Sequence, residues 1–100
     1  MATRDVVQLR HPDRTKKMPS MPRSSYDLAR RTALALVPKQ APGMKLEEYL
    51  DEMATRLPQE AGWDRSASAR WWAMAIKLDL EARGELQRIN KRPPQTLVRI

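Results

Sequence analysis

The chain of 100 residues contains no cysteine, which excludes a disulfide framework, a thiolate-ligated zinc site and thiol chemistry together. Its single histidine, His11, leaves too little for a histidine-based metal site or a Ser-His-Asp relay. Phenylalanine is absent, and six methionines are left to fill gaps in the core. No apolar run approaches the roughly 20 residues needed to span a bilayer, and the opening MATRDVVQLR holds no stretch suited to a secretory signal. No paired carboxylates, nucleophile–base pair or glycine-rich phosphate loop stands out, so no enzymatic activity and no cofactor are expected. No Gly-aromatic signature of RNA binding is present either. A single small cytoplasmic domain is the expectation that remains.

What the chain has in excess is positive charge, +7 in total, and it is unevenly spread: +5 over residues 1–31, −2 over 32–65 and +4 over 66–100. Such a balance favours contact with polyanions, nucleic acid above all. The pattern divides the chain into a basic N-terminal arm or loose hairpin, residues 1–23, and a compact domain, residues 24–100. Residues 5–10 (DVVQLR) favour a strand, His11-Pro12-Asp13 signals a turn, and residues 15–23 carry two prolines without helical period.

Three helices follow. The first is punctuated by Pro22, by Ser24 as the expected cap with Asp27 three residues on, and by Pro38 as the stop. The second, about 46–57, repeats Leu46, Tyr49, Leu50, Met53 and Leu57 at three- and four-residue spacing, with Glu47, Glu48, Asp51 and Glu52 opposite. It lacks a capping residue before Leu46. The third is expected over 66–83, with Trp71, Ala75, Leu78 and Ala82 on one stripe and Ala69, Trp72, Ala73, Ile76 and Leu80 on another. A helix apolar on two sides is covered on two sides, so this one is expected at the centre, with Trp71 and Trp72 both packed inward. Gly84 ends it, and the runs ELQRIN and TLVRI, separated by Lys91-Arg92-Pro93-Pro94-Gln95, predict a hairpin with a basic tip.

The stretch Leu80-Glu81-Ala82-Arg83-Gly84-Glu85-Leu86-Gln87-Arg88 resembles the join from recognition helix to wing in bacterial winged helix-turn-helix regulators. Tyr26, Pro38, Trp71-Trp72 and the run from Lys77 to Gly84 are also similar to a family of small, uncharacterised bacterial winged-helix-like proteins known only as a domain of unknown function. The resemblance implies an α+β fold: a winged helix-turn-helix of three helices plus a C-terminal wing, preceded by an N-terminal strand or hairpin.

It also implies a DNA-binding transcriptional regulator. The third helix would lie in the major groove, with Arg65, Ser66, Ser68 and Arg70 nearest the bases, Lys77 towards phosphate, and Lys91 and Arg92 at the wing tip. Lys77 reads equally well as the i,i+4 partner of Glu81 on a solvated strip. Double-stranded DNA is thus the expected partner, with pairing into a homodimer and no membrane contact. The acidic side of the second helix argues the other way, for a non-enzymatic interaction or dimerisation module whose basic arm meets an acidic protein.

Overall fold

The computed structural model describes residues 5–89 and 93–100. Among them the chain runs β1 (Val6–Gln8), β2 (Ser20–Pro22), α1 (Arg23–Leu36), β3 (Met44–Lys45), α2 (Leu46–Arg56), a short 3-10 turn (Leu57–Gln59), α3 (Ala69–Ala82), β4 (Leu86–Arg88) and β5 (Thr96–Arg99). The class is α+β, with two small antiparallel sheets. β1 and β2 pair with Val7 opposite Met21, and a three-stranded sheet has the order β3-β5-β4.

The helices form where the apolar period places them, but their ends depend on partners remote in sequence. α1 begins at Arg23, and the expected cap Ser24 lies inside its first turn; Pro22 precedes the helix without a capping side chain. The N–H of Arg23 donates to the Asp5 carbonyl at 3.0 Å, so the chain leading into β1 satisfies one of the free donors of the first turn. At α2 the missing cap is replaced in the same manner: the Leu46 N–H donates to the Gln95 carbonyl at 2.9 Å, at the entry to β5. α3 starts three residues later than expected. Ser68 caps it, its Oγ accepting the Trp71 N–H at 3.2 Å, while Asp64 holds residues 64–67 in a separate turn by accepting from Ser66 N and Oγ.

β3 was not foreseen. It is two residues long and exists because Met44 pairs with Leu97, and Lys45 with Thr96, on β5. The approach is tight: Gly43 has φ +80°, and a Cβ there would stand 2.4 Å from the Leu97 carbonyl oxygen. Only glycine fits both the dihedral and the contact.

One core unites all of these elements. Tyr49, Met53, Leu57, Ile76, Leu80, Leu86, Leu97 and Val37 are fully buried, and α3 packs against both α1 and α2. Residues 6–22 before α1 form a hairpin built into that core, since Val7, Leu9 and Met21 are buried in the same cluster. The expectation for Trp71 fails: it is 55% exposed, whereas Trp72 is half-buried. The cover that reaches Ala75 stops short of the first turn of α3, and Trp71 stands edge-on to Trp72 with ring centres 4.9 Å apart.

Candidate nucleic-acid interface

The residues expected at DNA meet different fates along α3. Arg65 is exposed just before the helix, and Ser66 is exposed but engaged with Asp64. Ser68 is exposed, and its Oγ already accepts one hydrogen bond as the helix cap. Arg70 is exposed yet already partnered, one guanidinium nitrogen 2.5 Å from Asp51 Oδ1 and another 2.7 Å from Glu47 Oε2 on α2. The acidic side of α2 therefore faces the first turn of α3.

Lys77 is withdrawn altogether. Its side chain is 5% exposed, and its Nζ lies 2.5 Å from Glu81 Oε1, an ion pair one turn along whose approach lies outside hydrogen-bond geometry. Of the two readings the residue allowed, the pair with Glu81 is the one observed, but on a buried flank of the helix rather than a solvated strip, where a phosphate cannot reach it. Lys91 and Arg92 lie outside the described residues. Their flank, Pro93 and Pro94, lines a cavity of 270 Å³ with Lys45, Leu46 and Glu47, so the stretch leading into β5 adjoins the start of α2. Glu47 thus bonds to Arg70 and lines the cavity that adjoins the β4–β5 connection.

The opposite end of α3 holds an arrangement that residue spacing did not bring forward. Asp79 is fully buried. Its Oδ1 accepts the Arg10 N–H at 2.8 Å, its Oδ2 accepts the Tyr26 hydroxyl at 2.7 Å, and Arg83 Nε donates to both oxygens. A buried carboxylate surrounded by donors in this way is a structural clamp, tying the β1–β2 hairpin and α1 to α3. Arg83 also lies over the Tyr26 ring, 5.5 Å from its centre. Burial, and then the hydrogen bond to Asp79, push the Tyr26 phenol up to about 12. The pairing of Arg30 with Glu85 lies beside this clamp, and its hydrogen bond holds the Glu85 carboxyl below its ordinary value. The signal in the sequence was slight: one acid within an apolar flank, with an arginine four residues on.

Above this clamp the β1–β2 turn opens onto a cleft of 680 Å³ lined by Arg10, His11, Arg14, Lys16 and Lys17, with Ala82 of α3 at its side. The turn is internally bonded. Asp13 Oδ1 accepts from Thr15 N and Oγ1, the Lys16 N–H donates to the Asp13 carbonyl, and the Asp13 N–H donates to His11 Nδ1. The hydrogen bonds from Thr15 hold the Asp13 carboxyl below its ordinary value. Among the described residues, the side chains of Arg10, Arg14, Lys16 and Lys17 make no ion pair.

Also among the described residues, no group of three or more His, Asp or Glu is placed to hold a metal, and no helix is long and apolar enough to cross a membrane. The molecule is thus a small α+β protein with paired arginines at both ends of α3. A cluster of cations without ion pairs among the described residues, Arg10, Arg14, Lys16 and Lys17, stands on the turn beside its C-terminal end. Residues 6–97 match the model of a family of unknown function (DUF6958), and the chain belongs to that family. No curated protein and no solved structure matches it.

Proposed function

We propose that this is a non-enzymatic, double-stranded-DNA-binding protein, a transcriptional regulator on a winged-helix scaffold. The observation that carries the reading is the strand order β3-β5-β4 combined with the helix order around it. A short strand between the first two helices pairs with the last strand of a C-terminal hairpin, and the third helix keeps its N-terminal turn exposed. In domains so arranged the third helix presents that turn to the major groove. Arg65, Ser66 and Ser68 are the exposed candidates for base edges, and Lys91 and Arg92 remain the wing-tip candidates. Lys77 leaves the set because it is buried.

Arg70 takes part only by exchanging Glu47 and Asp51 for phosphate or a guanine edge. Those carboxylates are 78% and 71% exposed, so the pairs they make are weak ones in water. The exchange is inexpensive for that reason.

Fluorescence anisotropy with random-sequence duplex at low and high salt tests the reading. Neutralising about five phosphates gives a slope near −4.5 in log K against log salt. Absence of binding at low salt abandons DNA as the partner.

A second reading has its own observation. Trp71 stands exposed one residue after Arg70, whose partners are Asp51 and Glu47. An exposed tryptophan near an acidic helix side is suited to a protein partner bringing an apolar surface and cations. A duplex-binding chain indifferent to Trp71→Ala counts against it.

A further inference from the structure

We propose that the cleft under the β1–β2 turn is a second anion site, one that takes consecutive phosphates of a nucleic-acid backbone. It shares the ligand class of the proposed function and rests on that reading only in this respect, because its surface is a different one. The argument starts from charge. Residues 8–18 carry Arg10, Arg14, Lys16 and Lys17 against Asp13 alone. Asp13 is committed to Thr15 by two hydrogen bonds, and the four cations have no ion-pair partner among the described residues. Five arginines elsewhere are held internally: Arg23 by Asp5, Arg30 by Glu85, Arg56 by Glu52, Arg70 by Asp51 and Glu47, and Arg83 by Asp79. Other cations without an ion pair among the described residues, such as Arg31, Lys39 and Arg65, are separated along the chain, whereas the four of the turn line one cleft.

Geometry then converts charge into a site. These cations project from a turn braced by its own hydrogen bonds and anchored at both ends. On one side the Arg10 N–H is held by buried Asp79; on the other, Gln8 Nε2 donates to the Met18 carbonyl at 2.7 Å. Because the backbone is already ordered, a ligand does not have to fix it on binding. With Nδ1 of His11 accepting from Asp13, the neutral ring carries its proton on Nε2, which adds a donor to a cleft-lining residue. No acidic residue lines the cleft. An opening of this volume lined by four cations and no carboxylate suits a chain of phosphodiesters, each neutralised singly, better than a compact ligand needing convergent hydrogen bonds. The site lies at the C-terminal end of α3, about 20 Å along a 14-residue helix from the turn that carries Arg70, so mutation can separate the two surfaces.

The test uses the full chain, a labelled random-sequence duplex and anisotropy across a salt series. The triple variant Arg14→Ala/Lys16→Ala/Lys17→Ala is expected to flatten the salt slope by about 2.7 and so to bind about two to three orders of magnitude more weakly at low salt. The double variant Lys16→Gln/Lys17→Gln, which keeps side-chain length and so guards against loss of the turn, should show about two-thirds of that flattening. Circular dichroism should be unchanged in both.

If the triple variant binds like the parent while Arg65→Ala/Arg70→Ala is defective, the cleft proposal fails and the α3 reading stands. The reverse pattern supports the cleft and removes α3 as the interface. A parent chain that does not bind duplex at low salt overturns both. Inorganic tripolyphosphate supplies the remaining arm: at matched phosphate concentration it should displace duplex poorly. Displacement as effective as that by unlabelled duplex would assign the cleft to free polyphosphate and overturn the backbone assignment.

Discussion

The two ends of α3 put similar residue types to opposite uses. At the N-terminal end, Arg70 is held by two carboxylates that are themselves largely in water, Glu47 at 78% and Asp51 at 71% exposure. At the C-terminal end, Arg83 is held by Asp79, whose side chain is 0% exposed. Water and counterions compete with the first pairing and hardly reach the second. A phosphate can therefore recruit Arg70 but not Arg83. Beyond the buried clamp stand Arg14, Lys16 and Lys17, which no described carboxylate neutralises. A list of basic residues conflates these three conditions, and the pairing of each cation decides what it can bind.

The sharpest way to break the comparison is to remove the buried acid. Asp79→Ala leaves Arg83, Tyr26 and the Arg10 N–H without their common acceptor, and should cost about 3 kcal/mol in urea unfolding. A loss no larger than that of a surface substitution would mean that the clamp does not organise the hairpin.

Tyr26→Phe removes one donor to the same carboxylate and should cost about 1.5 kcal/mol at neutral pH. It also bears on alkaline stability. With the folded phenol raised to about 12 from an ordinary value of 10, its contribution is complete below pH 10. It then falls through the window from 10 to 12, where the unfolded chain gives up its proton first. The Phe variant should show a shallower decline across that window. Some decline remains, since burial also raises the Tyr49 phenol, whose hydroxyl donates to the Ala73 carbonyl. Urea midpoints on either side of pH 10 measure it, and equal slopes in parent and variant would contradict the assignment.

At the exposed end the effects move to binding. Glu47→Gln/Asp51→Asn frees Arg70 and removes two repelling charges, so duplex affinity should rise severalfold, roughly threefold to tenfold, at low salt. Arg70→Ala should leave the unfolding midpoint unchanged and only weaken duplex binding. If the first variant binds no better than the parent, the acidic side of α2 does not face the ligand.

Much of the scaffold could be read directly from residues. Pro38 and Gly84 stop their helices, the spacing of Leu46, Tyr49, Leu50, Met53 and Leu57 defines α2, and the change of period after Gly84 marks the β4–β5 hairpin. What escaped reading was whatever a distant residue decides. β3 exists only through Leu97 and Thr96, the start of α1 is set by the Asp5 carbonyl, and α2 is capped by Gln95. The site followed the same division. The excess of cations before residue 18 was visible, but not that Asp79, 69 positions away from Arg10, pins their turn beside α3. Lys77 and Trp71 sat on faces whose cover could not be known from period alone; the packing buried the lysine and left the tryptophan out.

Amide chemical-shift mapping of the isotopically labelled full chain, titrated with random-sequence duplex, tests the division of cations most directly. Perturbations concentrated in residues 10–18, with a second group at 65–71 and none around Lys77, are the expected result. A map in which residues 10–18 stay silent while duplex binds would contradict the account.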